Sequence, residues 1–563
     1  MEEEHVELNT LLAISIGPVQ DFIAAGRRLG DLTAGSSLLT KMAKTVAQSV
    51  HEQGGHLIFP ADPNEDGPNK ILAILTDRDA SEVAASARAV AAQMLMERWE
   101  AVVAKLPAGS IDEELARQQI AQFLEFYAAW VPCPPGSYAS ARLRVDRLLA
   151  GRKALRDFKQ PPTRAGQPKS PLDPSRECVL TLEANRTVSA ALRNSLLRLN
   201  GGELLDAVSI LKRSEGRRSK APSTAAMAAR SVLRACAPEL VAALNDIAQA
   251  AGDDADIGDL LFDSQMDDLA DETAAALQGR AAEISHLRRE ACRSAGVSSC
   301  SPYYAILVAD GDRMGRMLAA MTTDDEHREF SKRLAQFAQG ARRIVERHNG
   351  SAIYTGGDDV LALLPLVTAI PCAAELAAAF KEQMSSPGAG ALEDQPSLSA
   401  GLAIVHFMEP LQVALGYARA AEKEAKRDRN SIAIALHTRG GAPVTVVNQW
   451  ESDPAKVVDA WNAFADLQRH DELSRGFPYE MKQLVAEWPS DDTTKILDHN
   501  VLKLEVERIL KRKKGGERSH ATEQLYLKIG KFETKNEFAD LADWLIIARF
   551  LTSNTPGREA VND

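Results

Sequence analysis

Gly356-Gly357-Asp358-Asp359 sets two adjacent carboxylates beside a glycine pair, between an apolar run, Ser351 to Tyr354, and a second one, Val360 to Leu364. The pattern reads as a β-hairpin with the acids at its tip. A surface turn is the plain alternative, since Gly and Asp are common turn residues. Adjacent acids repel one another and gain little from folding, so a bound divalent cation is the natural reason to place them there. Upstream, Tyr303-Tyr304-Ala305-Ile306-Leu307-Val308-Ala309-Asp310-Gly311-Asp312 is an apolar run ending in two more acids. A buried strand that delivers carboxylates at its carboxyl end, opposite an acidic hairpin, is what a two-metal site needs. Asp310 is expected to meet Asp358 or Asp359 across the sheet.

These residues need a frame. One helix from Arg313 to about His348 is expected to return the chain to the hairpin, in the β-α-β-β order of a ferredoxin-like palm. A further strand covers Leu398 to His406, and an Ala-, Glu- and Lys-rich helix runs from Leu411 to Arg427 before the strand Ser431 to Leu436. Lysines near that helix end are candidates for the β and γ oxygens of a triphosphate. Lys423 reads as part of a solvated face with i,i+4 pairs, and Lys426 as the functional one.

The strand ending Asp310-Gly311-Asp312, the GGDD hairpin, the Ser399-Ala400-Gly401 strand and the Ala425-Lys426 helix with Arg429-Asn430 after it resemble the GGDEF and nucleotide-cyclase palm superfamily. Within it, the chain resembles the large polymerase-like subunit of type III CRISPR effector complexes, in its III-B form. Ile14-Ser15-Ile16-Gly17-Pro18-Val19-Gln20-Asp21-Phe22-Ile23, Arg27-Arg28 and Asp31-Leu32-Thr33-Ala34-Gly35-Ser36 look like the opening of that subunit's first palm. The two halves also share a pattern: Leu11 to Ile16, a helix, Gly54 to Pro60 and Asn69 to Leu75 track the second palm. Gly17-Pro18 and His56-Leu57 stand where its acids stand, so the first palm has lost the metal ligands.

The resemblance implies an α+β chain with two ferredoxin-like palm domains and helical domains between and after them. The expected division is a degenerate first palm with helical insertions over 1–186, a helical linker over 187–300, the second palm over 301–447 and a C-terminal helical bundle over 448–563. A late strand of the first palm is expected at Cys178 to Leu182. The implied reaction is synthesis of cyclic oligoadenylates from ATP, with Asp310, Asp358, Asp359 and the Gly311 carbonyl holding two Mg²⁺ (or Mn²⁺) ions. Gly356 and Gly357 let the backbone approach the phosphates, Lys426 offsets triphosphate charge, and Asp312 contacts the nucleotide or supports the ligands from behind. Implied partners are the guide RNA, the target RNA that controls the palm, and neighbouring backbone and small subunits of the complex.

At 563 residues the chain suits about four domains. Hydrophobic content of 45% and charged content of 26% describe an ordinary globular composition. No apolar run is long enough to span a membrane, and Met1-Glu2-Glu3-Glu4 is unlike a signal peptide, so a cytoplasmic location is expected. The net charge of -12 argues against nucleic-acid binding over the whole surface but permits local basic patches. Lys212-Arg213 with Arg217-Arg218 and Lys220 is one and Lys511-Arg512-Lys513-Lys514 another, each a phosphate contact or a solvated loop. The acidic stretch Asp253 to Glu272 reads as a solvated helix face. Trp450, Trp461, Trp488 and Trp544 are expected to fill the core of the last helices.

The six cysteines form no CxxC pair. The family's four-cysteine zinc site between the palms is therefore not expected, and the thiols are expected free, as a reducing cytoplasm favours. Only Cys292 and Cys300 are near neighbours. The HD nuclease domain that often precedes the first palm has no room before Leu11, and His470-Asp471 is the one adjacent His-Asp pair, so no DNase activity is expected. A diguanylate cyclase is the rival enzyme, disfavoured by Asp359-Val360 and by Arg347-His348-Asn349-Gly350 in place of its inhibitory motif. Joining ATP to S-adenosylmethionine stays open. So does a scaffold with a silent palm, although intact acids in both strand and hairpin argue against decay.

Overall fold

The computed structural model describes residues 9–65, 69–155, 166–180, 197, 203–216, 221–252, 255–266, 271–385, 396–450, 453–469, 472–488, 499–513 and 520–556. Arg217, Arg218, Lys220, Lys514 and the pair His470-Asp471 lie outside the described residues.

The first palm is a four-stranded sheet of β1 (Asn9–Gly17), β2 (His56–Phe59), β3 (Lys70–Thr76) and β4 (Glu125–Pro132), in the order β2-β3-β1-β4 with antiparallel neighbours. That is the ferredoxin-like order. Along β1 the side chains alternate between two cores, Leu11 and Ala13 on one face and Leu12, Ile14 and Ile16 on the other, as the two-residue period of a strand requires. The fourth strand is not at Cys178. Leu180 makes only an isolated bridge with Ile111, and the edge of the sheet is taken by Glu125–Pro132. Only Ala129 and Val131 of that strand are buried, so its apolar pattern is weak and the sequence reading passed over it.

The second palm holds β5 (Tyr303–Gly311), the hairpin β6 (Ser351–Gly356) and β7 (Asp359–Leu364), then β8 (Leu398–His406), β9 (Ser431–Leu436) and β10 (Val444–Gln449). Their order is β10-β9-β8-β5-β7-β6, with β8 and β9 parallel and the other neighbours antiparallel. Both faces are covered. Tyr304 and Ile306 point into a core shared with the first palm and the helices between the palms, whereas Ala305, Leu307 and Ala309 point into one shared with the last helices. Burial on both sides explains why β5 and β8 read as nearly continuous apolar runs.

The expected single helix after β5 is two, Met314–Ala320 and Asp324–Arg347. Thr323 Oγ1 accepts from the Glu326 amide at 3.2 Å, and the Glu326 carboxylate accepts from the Thr323 amide at 3.2 Å. This capping box starts a new helix, and Asp324, Asp325 and Glu326 in its first turn suit the positive end of the dipole. The long helix of each palm packs on the hairpin strand of the other: Leu29–Glu52 lies against β6, and Asp324–Arg347 against β2.

Between the palms, the described residues form helices from Ala207–Gly216 to Ala281–Ser294. Lys212 and Arg213, read as a basic patch or a solvated loop, are neither. Both are buried, at 2% and 3% exposure. Lys212 Nζ donates to the carbonyls of Phe22, Ile23 (3.0 Å) and Ala25 (2.8 Å), tying off the end of the short helix Gln20–Ala24. Arg213 pairs with Asp31 at 2.9 Å, and Asp31 caps the helix Leu29–Glu52. The first-palm motif around Arg27 to Ser36 is thus a folding lock. Burial pulls the Lys212 ammonium down to about 7, against the opposing pull of Asp31 and Asp206.

Lys212→Met is expected to cost about 3 kcal/mol by leaving buried carbonyls without a donor. The unfolded lysine, near pH 10.4, holds its proton where the folded one has released it. Wild-type stability should therefore rise between pH 7 and about 10. Melting curves across that range should show the slope in the wild type and not in the variant.

In the last helices Trp461 stacks on Trp544 at 4.3 Å between centroids, as expected of a helical core. Trp450 differs, since its Nε1 donates to the Leu398 carbonyl at 2.9 Å and closes the second palm beside β8. The helices themselves share one apolar core with that palm.

Candidate active site

The antiparallel register does the first work. Ala309 pairs with Val360, so Asp310, one residue further along β5, emerges beside Asp359, and Gly356 pairs with Asp359 to close the hairpin. Asp310, Asp358 and Asp359 are all half-buried there. Two glycines make the approach possible. A Cβ on Gly311 would lie 2.8 Å from the Phe380 ring and 2.9 Å from the Asp358 Cβ, and Gly357 turns the hairpin at φ +69°. A Cβ on Gly356 would lie 2.2 Å from the Tyr354 hydroxyl oxygen and 2.3 Å from its ring.

Asp358 and Asp359 are perturbed by burial and by the neighbouring carboxylates. Burial raises the Asp358 carboxyl, and the neighbouring Asp359 and Asp310 raise it further. Asp359 is pushed up to about 7 by burial and Asp310, with Lys426 opposing. The same acids, after burial, push the Tyr354 hydroxyl up.

Lys426 comes in from the helix Leu411–Asp428. Its Nζ lies 2.7 Å from Asp310 Oδ2 and 3.4 Å from Asp312 Oδ1, and donates to the Gly311 carbonyl at 2.8 Å. Burial alone would lower its pKa, but the pairing with Asp310 and Asp312 outweighs it and the net direction is upward. Asp312 shares Lys426 with Asp310 but is tied into the fold. It is 2% exposed and accepts from Ser397 Oγ (2.8 Å), Ser399 Oγ (2.8 Å) and the Asn430 amide (2.9 Å). Its carboxylate pins β5 to β8 and to the end of the lysine helix. Lys423, one turn before Lys426 and read as solvated, has no ion pair among the described residues.

Among the described residues, no group of three or more His, Cys, Asp or Glu forms a ready-made metal cage. The donor set still fits a hard divalent cation. Asp310 adds to the rise of both Asp358 and Asp359, so the cluster is short of positive charge, and magnesium commonly takes one or two carboxylates, completing its shell with water and substrate phosphates. The Gly311 carbonyl has a second lone pair beyond the one facing Lys426.

This strand, hairpin and lysine-helix arrangement has known counterparts. The model of the Cas10/Cmr2 second palm domain matches residues 303–433, and that of the Cmr2 N-terminal region matches 11–66. Both matched segments are similar to domains of the Cas10/Cmr2 family. The CRISPR system Cmr subunit Cmr2 of Pyrococcus furiosus is 29% identical over 259 residues, which cover 40% of this chain and 28% of that protein. The match thus spans under a third of that relative's length. Among solved structures, the type III-B Cmr-beta complex in its apo state aligns with a TM-score of 0.67 at 13% identity, covering 98% of this chain and 82% of the other. The same complex bound to cognate target RNA gives 0.64 at 13%, covering 98% and 84%. At such identity the likeness is one of fold.

Within the second palm, Glu422 is the residue that sequence reasoning missed. Burial raises its carboxyl, Lys426 opposes, and Asp310 and Asp312 add to the rise. It lies one turn before Lys426 and so on the same helix face, a spacing that could have singled it out. The first palm reaches the site from behind. Arg142, 3% exposed, donates to the Leu318 carbonyl at the end of the helix that follows Asp310, and the Tyr138 hydroxyl meets His327 Nδ1 at 2.6 Å.

The cysteines are all free. The fold brings Cys236 to Cys292 and Cys300, so those two do have a third thiol near them: burial, then Cys292 and Cys236, push the Cys300 thiol up to about 12. Their separation in sequence concealed this.

Proposed function

We propose that the chain is the large subunit of a type III CRISPR RNA-guided complex, dividing into the four units expected from its sequence, and that its second palm joins ATP molecules into cyclic oligoadenylates when target RNA binds. The observation that carries the reading is the convergence of Asp310, Asp358 and Asp359 with Lys426 at the hairpin of a Cas10/Cmr2 palm. In each transfer a ribose 3′-oxygen forms a bond to an α-phosphorus, the bond from that phosphorus to the β-bridging oxygen breaks, and pyrophosphate leaves. Asp310, Asp358, Asp359 and the Gly311 carbonyl are the groups that would hold Mg²⁺ or Mn²⁺, which supplies charge neutralisation and activates the hydroxyl.

The chain's own residues do the rest. Gly356 and Gly357 keep the hairpin free of side chains where phosphates approach. Lys426 turns from Asp310 toward the triphosphate and offsets its charge, acting as a point charge on a flexible stem. Asp312 serves the site by position, holding the lysine helix against β5 through Asn430. The first palm, with Gly17-Pro18 and His56-Leu57 where the second has its acids, backs the site and presents the second nucleotide.

The test combines the chain with its guide-RNA complex, matching target RNA, Mg²⁺ and labelled ATP, and reads products by mass spectrometry. Cyclic adenylates that require target RNA are the expected result. Product only when S-adenosylmethionine or GTP is added would assign a different cyclase, and no product under any of these conditions would leave a scaffold.

A further inference from the structure

The helix Met314–Ala320 follows the strand that carries Asp310, and little in its own sequence holds it. It has seven residues, none of them buried, whereas isolated helices below about 12 residues are marginal in water. Its N-cap, Arg313, makes no side-chain cap and sits in the left-handed region at φ +57°, which a side chain of that size disfavours. Met314, Met317 and Leu318 are only partly buried against the core of the second palm.

The C-terminal end of this helix is also short of donors. The Thr322 amide, which would continue the ladder to the Leu318 carbonyl, donates instead to the Glu326 carboxylate at 2.7 Å, at the start of the next helix. What remains within the segment is the Met321 amide, 3.2 Å from the Leu318 carbonyl in a tightened last turn.

The first palm supplies a further donor. From the helix Tyr138–Ala154, the Arg142 guanidinium donates to the same Leu318 carbonyl, and a cation suits the negative end of a helix dipole. This placement is costly. Arg142 is buried, its Nε has no partner, and among the described residues no carboxylate pairs with it. Tyr138, one turn earlier on the same face, meets His327 near the start of the next helix. One face of a first-palm helix thus holds both sides of the break at Thr322-Thr323.

The path from Leu318 back to the acids is short. Met314 closes the space around Gly311, its Cγ 3.0 Å from where a Gly311 Cβ would lie, with the Asp358 Cβ at 2.9 Å from the same point. A shift at the start of this helix therefore presses on, or releases, the contact between Gly311 and Asp358. We propose that Arg142 is a positioning residue for the second palm: it orders the helix Met314–Ala320 and thereby fixes how Gly311 and Asp358 meet. Its effect on rate rests on the reaction proposed above, whereas its effect on the helix does not.

Two measurements separate these effects. Hydrogen–deuterium exchange of the full chain, without nucleotide or metal, reads the order of residues 314–321. Steady-state synthesis from ATP by the chain in its guide-RNA complex, with target RNA and Mg²⁺, reads kcat and KM. Arg142→Gln is compared with Arg142→Lys, which keeps a charged donor, and with Arg144→Gln, which removes an exposed arginine from the same helix.

In Arg142→Gln, exchange over 314–321 is expected to rise at least tenfold, with the strands of the first palm protected as in the wild type. Its kcat should fall by roughly tenfold to a hundredfold with KM for ATP within about twofold, the pattern of a displaced reacting group rather than of lost binding. Arg142→Lys should recover most of the rate, and Arg144→Gln should match the wild type. Unchanged exchange over 314–321, faster exchange throughout the first palm, or a raised KM with kcat kept would overturn the proposal. A wild-type complex that makes no product would overturn the proposed reaction instead, and the exchange data would still decide whether Arg142 orders the helix.

Discussion

Replacing Asp358 and Asp359 together by alanine is expected to abolish nucleotide synthesis and to raise the melting temperature of the chain in the absence of divalent cations. On the proposed reading, the first effect follows from the loss of the carboxylates that would hold the cations facing the reacting phosphates. Metal-assisted stabilisation of a phosphoryl transition state is worth several kcal/mol, and each 1.4 kcal/mol or so is tenfold in rate. Product formation should therefore fall by on the order of a thousandfold or more. The second effect follows from the electrostatics of the apo site. Burial and the neighbouring acids raise both carboxyls, which means that ionising them is harder in the folded chain than in the unfolded one.

The sign is then fixed. Below about pH 4 these carboxyls are protonated in both states and contribute nothing. As pH rises toward 7, the unfolded chain releases protons that the folded chain retains, so folded-state stability declines. Wild-type melting temperature should fall over that window relative to the double variant, and the gap should close again on adding Mg²⁺, which binds the wild type alone. Scanning fluorimetry across pH 4 to 8 checks this. A double variant that melts below the wild type throughout would show that the acids stabilise the palm and would contradict the account of the site.

Gly401→Ala is expected to unfold the second palm or weaken it by more than about 3 kcal/mol. On β8, Gly401 sits opposite Val308 of β5 and Ala433 of β9. A Cβ there would lie 2.0 Å from the Glu422 amide nitrogen and 2.6 Å from the Ala418 carbonyl oxygen. Both are backbone atoms, so no rotamer change relieves the clash, and the helix Leu411–Asp428 has to lift. That helix carries Lys426 and Glu422, so any folded remainder should also lose activity.

Gly416→Ala on the same helix is the matched control. Nothing lies within 4 Å of its Cβ position, and alanine in a helix interior is better than glycine by roughly 0.5–1 kcal/mol. Chemical denaturation of the two variants should move in opposite directions. Similar losses in both would mean that the close approach at Gly401 is not what sets the position of the helix.

The chemistry-bearing segments were legible because each combined a strong local pattern with residues that have few other reasons to be there. The apolar run into Asp310, the glycine pair before Asp358 and the helix into Lys426 each specify an element and its end, and the elements fall within a residue or two of those expected. Less was legible where the pattern was weak or the partner remote. The break at Thr323 hid inside a continuous helical periodicity, although its Thr-x-x-Glu box was present to be read. β4 hid because only Ala129 and Val131 of the edge strand are buried.

The amino-acid sequence by itself determined most of the strands and helices of the second palm, that two palms lie in one chain, and that the paired acids sit at the hairpin of the second. Those outcomes depend on periodicity, turn chemistry and capping, which act over a few residues. Only the tertiary structure decided that Lys212 and Arg213 are buried fasteners rather than a basic surface, that Asp312 holds β8 while Asp310 faces Lys426, and that Glu422 joins the site. A charged side chain's role is set by what stands within a few ångströms of it, and the neighbours here come from segments many residues away along the chain.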